Sequence, residues 1–480
     1  MKYKSSISIL TFQICTLAFQ LAYAGFSSRQ AAPSEFGFYA SGLAIQAIFT
    51  LIFSSGFAED VIRNHDLNVY RIGGITSRAL TTGVVAFLIV LALGHLLQAL
   101  ISIPFELVIM TSLISGLTPI QNLLLGCYSQ QKMFALSGFI SFCSAVAGFI
   151  VGAISLTFSP TSASLMASPL VATLLFVSIG AIKYKSSLFP LETPSWANVR
   201  PSKFAFRIFI YRVFWFLNSN LARWALILTG LQPILGHLNR SEVVSSVPIQ
   251  QLQSSIVNPF YPRAAALSKN GTTENENAFL ITKASGAVVI LVWTLFTICA
   301  LGIQNLVCIL LGTNWALASS VAPFLFGIGA IQIPVVVLST VVETHLLFKK
   351  AYLAETLLVF LQAAGIVFFF EKIADLNFII TLMGAAMALR FLCYLGILVQ
   401  RKFVDGILIS KYLVVALLVS ASFWLLHALL TMMLTFINCP TNAVQLIASA
   451  ILGSIWFASL SVTKVGRTVF RDFSWLIKDG

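Results

Sequence analysis

Long apolar runs dominate the chain, and short polar stretches separate them. A run of about 17–25 apolar residues is long enough to cross a bilayer as a helix. Fourteen such runs predict fourteen transmembrane helices, at residues 7–26, 36–58, 79–101, 105–126, 134–158, 166–182, 208–230, 243–262, 284–303, 315–340, 351–370, 375–399, 411–433 and 443–462. The connections between them are too short for a separate soluble domain. The pattern therefore predicts an all-α polytopic membrane protein.

The composition agrees with this class. Hydrophobic residues make up 58% of the chain and charged residues only 9%, with a mean hydropathy of +0.93, whereas soluble proteins carry about 25% charged residues. The seven cysteines form an odd set with no Cys-x-x-Cys spacing, which argues against a disulfide framework or a thiolate metal site. We expect no metal and no cofactor.

The basic residues fall mainly on one side of the predicted helices. With the N-terminus inside, 23 of the 29 lysines and arginines lie in inner segments, and only Arg29, Arg240 and Lys372 lie in outer loops. Cytoplasmic loops of membrane proteins carry this excess of positive charge, so both termini are predicted to be cytoplasmic. Membrane topology thus explains the net charge of +13, and no nucleic-acid partner is expected.

The N-terminus has two interpretations. Lys2 and Lys4 precede an apolar run that ends in Ala22-Tyr23-Ala24, which resembles a cleavable signal peptide. The run continues to Phe26, which is long enough to span the membrane and favours a retained first helix. Cleavage would leave the topology of the other helices unchanged.

The predicted helices fall into two groups of six and a final pair. Pro33-Ser-Glu-Phe-Gly37 precedes Gln46 in the first group, and Pro233-Ile-Leu-Gly236 precedes Gln250 in the second. Proline and glycine commonly mark turns, so the match alone is weak. Both turns follow the first helix of their group, however, and transporters are often built from two related bundles around a central site. The predicted divisions are residues 1–205, 206–400 and 401–480.

The eighth run is unusually polar. Its polar side chains are Ser245, Ser246, Gln250, Gln251, Gln253, Ser254, Ser255 and Asn258. Lipid offers such groups no partners, so this helix is expected to face protein or water, and its three prolines are expected to bend it. Alternatively, these polar groups form hydrogen bonds between neighbouring helices. Glutamines on all sides of the helix favour a wet lumen.

Three arginines lie inside predicted spans: Arg212, Arg223 and Arg390. A charge at the centre of a membrane helix costs about 2.5–3.5 kcal/mol, so these arginines indicate a polar cavity and an anionic cargo. On an ideal helix Arg212 and Arg223 lie about 20° apart on one face and roughly 16 Å apart along the axis, with Ser219 on the same stripe. Arg212 is close enough to the predicted boundary to extend towards the headgroups instead.

Arg390 is the deepest of the three. Its small neighbours Ala385, Ala386 and Ala388 permit close packing or access to a cavity. Alternatively, Arg390 pairs with Glu355 on the preceding helix, either as a structural contact or as part of a switch. Acids are otherwise scarce at this depth, which counts against a cation-coupled multidrug antiporter.

Enzyme motifs do not occur in the sequence. It has no Walker loop, no His-Glu-x-x-His and no nucleotide-binding glycine motif, and no loop is large enough to house a catalytic domain. We therefore expect a transporter and not an enzyme. A drug or metabolite exporter remains an alternative, as does a membrane enzyme that polymerises or ligates glycans.

Several segments resemble the bacterial polysaccharide flippases of the Wzx type, in the multidrug/oligosaccharidyl-lipid/polysaccharide exporter superfamily. The resemblance is spread over most of residues 7–350. The segments that carry it are Ala32-Pro-Ser-Glu-Phe-Gly-Phe-Tyr-Ala40, Gly56-Phe-Ala-Glu-Asp-Val-Ile-Arg63, Leu235-Gly-His-Leu-Asn-Arg240 with Asn258-Pro-Phe-Tyr-Pro262, and Leu311-Gly-Thr-Asn-Trp315. One departure occurs in helix seven: the family often has Asn-Leu-Asp-Arg, whereas this chain has Asn220-Leu-Ala-Arg223.

The resemblance implies two six-helix lobes in a V around a central cavity, plus two C-terminal helices, in the bacterial inner membrane. It also implies flipping of an undecaprenyl-pyrophosphate-linked O-antigen, capsule or exopolysaccharide unit by alternating access. Expected partners are this lipid-linked oligosaccharide, membrane lipids, a polysaccharide polymerase and a chain-length regulator. The predicted substrate-binding residues are Arg390, Arg223, Arg212, Ser219, Gln250, Gln253 and Asn258, with Glu355 predicted for coupling or pairing.

Overall fold

The structure, a computed structural model, describes residues 2–54, 57–58, 61, 69–131, 133–188, 191, 203–267, 274–436, 441–462 and 469. In this part of the chain the apolar runs form helices, and no strand occurs. The long helices are α1 (Lys2–Gln30), α2 (Pro33–Phe53), α3 (Val69–Ile101), α4 (Phe105–Gln130), α5 (Phe134–Phe158), α6 (Ser162–Lys183), α7 (Lys203–Leu228), α8 (Gln232–Leu267), α9 (Glu274–Leu311), α10 (Ala316–Thr344), α11 (Phe348–Phe368), α12 (Leu376–Gln400), α13 (Gly406–Phe436) and α14 (Thr441–Val462). One short helix, Lys185–Leu188, follows α6.

Each of the fourteen predicted runs coincides with one of the long helices. The predicted all-α polytopic fold is therefore confirmed over the described ranges. Ten of the helices found there are long and apolar enough to cross a membrane. The ten are α2 to α6 and α9 to α13. Of the other four, α7 and α8 carry the arginines and the polar cluster that set them apart from the apolar runs.

The helices extend beyond the apolar runs, and this corrects one prediction. Arg240 was predicted to lie in an outer loop, but α8 begins at Gln232 and Arg240 lies inside it. Only a short turn separates α7 from α8. Hydropathy marks the apolar part of a helix, whereas the backbone hydrogen bonds continue through polar residues that are packed against protein. The sequence argument therefore placed the start of α8 too late.

The chain divides into two compact units. Unit 1 comprises residues 1–209 and 223–240, and unit 2 comprises residues 210–222 and 241–480. The division thus cuts α7 and α8. It rests on contacts and not on internal repeats, so the predicted boundaries at 205 and 400 stay a prediction.

Unit 1 contains α1 to α6, both ends of α7, the turn that follows it and the first turns of α8. One apolar cluster joins α2, α3, α4 and α6, with Ile45, Val90, Leu107 and Met166 in its centre and Trp224 of α7 packed against it. Aromatic contacts hold α1 against α5: the rings of Phe19 and Phe142 lie 5.7 Å apart. At the start of α6 the Ser162 amide donates to the Glu35 carboxylate at 2.6 Å.

Unit 2 contains α9 to α14 together with the middle of α7 and most of α8. Helix α9 is central to it, since it packs against α10, α13 and α14. At Gly286 a Cβ atom would lie 2.4 Å from the Tyr412 ring, so glycine allows α13 to approach α9 closely. The Asn305 side chain of α9 donates to the Gln445 side chain of α14 at 2.7 Å.

Candidate functional site

Glu355 and Arg390 form a buried ion pair in unit 2. Arg390 Nη2 lies 2.7 Å from Glu355 Oε2, and the two side chains are 3% and 0% exposed. The sequence left open whether Arg390 faces a cavity or pairs with Glu355. In this conformation its guanidinium is occupied by the carboxylate of α11.

Further donors surround the same carboxylate. The Asn218 amide of α7 donates to Glu355 Oε2 and, at 3.0 Å, to the Glu355 backbone carbonyl. The Tyr394 hydroxyl lies 3.0 Å from Glu355 Oε1 and 2.7 Å from the Tyr211 hydroxyl. A hydroxyl has one proton, so Tyr394 donates to the carboxylate and accepts from Tyr211. Glu355 thus joins α7, α11 and α12.

An aromatic ring covers the other side of the arginine. The Arg390 guanidinium carbon lies 4.2 Å from the centre of the Trp215 ring. A cation over a tryptophan face gains about 2 kcal/mol when it is desolvated. Trp215, Asn218 and Tyr211 lie on one part of α7, and sequence reasoning missed all three. Their polar atoms gave a signal, because an amide and a phenol in a membrane helix need partners.

The other two predicted arginines lie elsewhere on α7. Arg212 is exposed and belongs to unit 2, whereas Arg223 is half-buried and belongs to unit 1. Ser219 is half-buried, and its hydroxyl donates to the Trp215 carbonyl at 2.9 Å. Asn220 donates to the Phe216 carbonyl at 2.9 Å, and Ala222 is buried.

Arg212 has an acidic neighbour that the sequence argument missed. It lies close enough to Glu343 and Tyr261 to interact with both electrostatically. Glu343 is in the last turn of α10, beyond residue 340, where the predicted span ended. The acid follows Val341 and Val342 without a turn signal, which could have indicated that the helix continues. Burial lowers the pKa of His345, at the end of the same helix, from the ordinary histidine value.

The polar residues of α8 differ in their exposure and in their contacts. Gln250 is exposed and Gln253 is half-buried. The Gln332 amide of α10 donates to Gln253 Oε1 at 3.5 Å. The side chain of Asn258 lies outside the described residues. Gln253 therefore contacts a neighbouring helix, while Gln250 is accessible in this conformation.

Unit 1 buries an arginine that the sequence argument did not consider as a site residue. Arg240 is 4% exposed, and its guanidinium carbon lies 4.1 Å from the centre of the Phe36 ring and 5.9 Å from that of Tyr39. Its nitrogens donate to the Asn239 side chain at 2.9 and 3.3 Å. Within the described ranges, no carboxylate lies within ion-pair distance of it. Aromatic faces and an amide stabilise this charge.

Comparisons with known proteins agree with the fold. A family model for the polysaccharide biosynthesis protein family matches residues 28–320. No curated protein matches the sequence. Among solved structures, the chain is similar to the lipid II flippase MurJ in an inward closed conformation, with a TM-score of 0.68 and 11% identity over 95% of this chain and 99% of that one. At this identity the likeness concerns the fold alone.

Proposed function

Because the chain belongs to the polysaccharide biosynthesis protein family, we propose that it flips a lipid-linked oligosaccharide across the bacterial inner membrane. The proposed cargo is an undecaprenyl-pyrophosphate-linked repeat unit of O-antigen, capsule or exopolysaccharide. The family match over residues 28–320 carries the proposal. The likeness to the MurJ fold supports it, since that protein is a lipid II flippase.

The proposed orientation in the membrane is supported by the charge distribution. The excess of basic residues in alternate segments supports cytoplasmic termini. Loading from the cytoplasmic side and release on the outer side agree with this orientation, in a cycle that alternately opens a central cavity between two lobes.

Arginines are the proposed ligands of the pyrophosphate headgroup. A guanidinium forms paired, charge-assisted hydrogen bonds with phosphate oxygens. Arg212 is exposed and Arg223 half-buried, so these two are proposed to meet the headgroup first. Arg390 would bind it only after Glu355 releases the guanidinium; its Nε has no acceptor within the described part of the chain. Ser219, Gln250, Gln253 and Asn258 are the proposed polar lining.

Reconstitution tests the proposal. Purified protein in proteoliposomes should move the lipid-linked repeat unit between leaflets, as measured by its accessibility to an added glycosidase. Arg223→Ala should reduce the rate by at least tenfold, because loss of one charge-assisted hydrogen bond removes about 1.5–3 kcal/mol. Arg207→Ala is a matched control near the start of the same helix, at an exposed position, and should retain the rate.

Three results would contradict the proposal. Equal rates with protein-free liposomes would exclude flipping of this lipid, and efflux of dyes or drugs by the same preparation would favour the exporter alternative. Glycan chains that lengthen in the presence of the protein alone would favour a polymerase. A polysaccharide polymerase and a chain-length regulator are the proposed protein partners, because they would act on the flipped unit.

A further inference from the structure

A gap lies between α11 and α12 on the surface of unit 2. Near the end of α11 the two helices touch, because a Cβ atom at Gly365 would lie 2.9 Å from the Leu382 side chain. Gly396 of α12 is about 40° from Leu382 around an ideal helix, yet no atom of the described residues lies within 4 Å of its Cβ position. This face of α12 is therefore covered by α11 at one end and uncovered at the other. We call the uncovered space the α11–α12 groove.

Exposed leucines form the walls of the groove. Leu357 and Leu361 of α11 are 52% and 48% exposed, and Leu389 of α12 is 42% exposed. On ideal helices Leu357 and Leu361 lie about 40° apart, and Leu389 and Gly396 about 20° apart, so each pair shares one face. Both helices are long and apolar enough to cross a membrane. The walls of the groove therefore face the hydrocarbon of the bilayer.

Four basic residues lie at the open end of the groove. Lys350 at the start of α11 donates to the Gln400 side chain at the end of α12, so these two side chains meet across the groove. Lys349 is exposed next to Lys350, and Arg401 and Lys402 are exposed directly after Gln400. We call Lys349, Lys350, Arg401 and Lys402 the basic head of the groove.

The described residues do not neutralise the basic head. None of its four side chains has a carboxylate within ion-pair distance in the described ranges. Two acids that are near in the sequence bind other groups: Glu355 pairs with Arg390, and Asp405 accepts from the Ile407 amide at 2.9 Å. A cluster of uncompensated lysines and arginines at the ends of membrane helices attracts anionic headgroups.

A basic head above an apolar groove matches the two parts of an anionic phospholipid. Lysine and arginine side chains form charge-assisted hydrogen bonds with phosphate oxygens. An acyl chain that lies along the leucine walls would fill the space beside Gly396. An acidic protein would use the charges but not the groove, and a free phosphate ion would not use the leucines. The combination of both features therefore favours a lipid.

We propose that the α11–α12 groove binds an anionic phospholipid, with its phosphate at the basic head and one acyl chain beside Gly396. The lipid comes from the leaflet on this side of the membrane, which is the cytoplasmic leaflet in the orientation proposed above. The groove contains none of the residues proposed to bind the cargo. The phospholipid is therefore a second ligand, and its binding does not depend on which cargo the protein moves.

Lipid titration of the purified full-length protein in detergent tests the proposal. Phosphatidylglycerol should raise the melting temperature by several degrees, because a ligand that binds only the folded state stabilises it. Phosphatidylcholine, which has the same acyl chains and no net charge, should have little effect. Equal shifts with both lipids, or the same shift with inorganic phosphate or polyglutamate, would overturn the proposal.

Charge substitutions test the basic head. The triple variant Lys349→Gln, Arg401→Gln and Lys402→Gln keeps the Lys350 contact and should bind phosphatidylglycerol at least tenfold more weakly in native mass spectrometry, because each basic residue adds to the attraction. The matched control is Lys183→Gln, Lys185→Gln and Lys411→Gln, which removes three exposed lysines elsewhere and should bind like the native protein. Equal weakening in both variants would show that only net charge matters and would overturn the site.

A glycine substitution tests the groove without changing any charge. Gly396→Leu would fill the space for the acyl chain and should weaken phosphatidylglycerol binding several-fold while the lipid-free melting temperature stays the same. Gly327→Leu on α10 is the matched control, because its Cβ position also has no atom within 4 Å in the described part of the chain. Native-like binding by Gly396→Leu would show that the lipid does not occupy the groove.

Discussion

Glu355 and Arg390 are isolated from water, so the consequences of replacing one partner and of replacing both differ. Removing one partner of a buried pair leaves a charge without compensation and costs about 3–5 kcal/mol, whereas replacing both with apolar residues is often neutral. Here the carboxylate also accepts from Asn218 and Tyr394. When both partners are replaced, the Asn218 amide and the Tyr394 hydroxyl lose their acceptor. This loss accounts for part of the destabilisation of the double variant.

A double-mutant cycle measures the coupling free energy between Glu355 and Arg390. Glu355→Leu and Arg390→Met should each lower the free energy of unfolding in detergent by about 3–5 kcal/mol. The double variant should lose less than the sum of the two single variants. Thermal unfolding followed by intrinsic fluorescence gives the four stabilities. Additive losses would mean that the 2.7 Å contact contributes no coupling energy.

The two tyrosines of the network should contribute unequally. Tyr394→Phe removes a hydrogen bond to a charged group and should cost about 1.5–3 kcal/mol. Tyr211→Phe removes only a bond between two hydroxyls and should cost about 0.5–1.5 kcal/mol. The same unfolding measurement ranks them. A larger loss for Tyr211→Phe would contradict the assigned direction of the hydrogen bonds.

Among the elements, α8 differs most from an ordinary membrane helix. Its first turns pack on α2 through Gly236, and its later turns carry Gln250 and Gln253. Alanine normally stabilises a helix relative to glycine by about 1 kcal/mol. At Gly236 that preference is outweighed, because the added Cβ would meet backbone and not a movable side chain.

Alanine substitutions at two helical glycines test this contact. Gly236→Ala should destabilise the protein, since its Cβ would lie 1.9 Å from the Pro33 carbonyl oxygen. Gly396→Ala on α12 is the matched control, because no atom lies within 4 Å of its Cβ position, and it should be neutral or stabilising. Melting temperatures in detergent decide between these outcomes. Equal shifts for both variants would show that α2 and α8 are not in backbone contact.

At the scale of the whole molecule, an even number of helices and the distribution of basic residues make one joint prediction. If all fourteen long helices of the described ranges cross the membrane, the positive-inside bias predicts that both termini are cytoplasmic. A green fluorescent protein fused after Gly480 should therefore fluoresce, and alkaline phosphatase fused there should be inactive. An active phosphatase fusion would indicate an odd number of spans or the opposite orientation.

Hydropathy identified the helices because a bilayer requires apolar runs of a fixed length, and each run is visible in the sequence alone. It could not identify helix ends, as α8 shows: Gln232 to Arg240 is polar enough to be taken for a loop. Arg390 and Glu355 could be considered as a pair because they lie at similar depth on successive helices. Asn218 and Tyr211 could not be added, because they come from a helix far away in the chain.

The sequence by itself determined the number of helices, the family and the orientation bias, since these depend on composition and local order. Only the tertiary structure decided which partner each intramembrane charge has. Arg390 has Glu355 and Trp215, and Arg240 has Phe36 and Asn239. The energy of a buried charge depends on the groups within a few ångströms of it, and folding brings those groups together from separate helices.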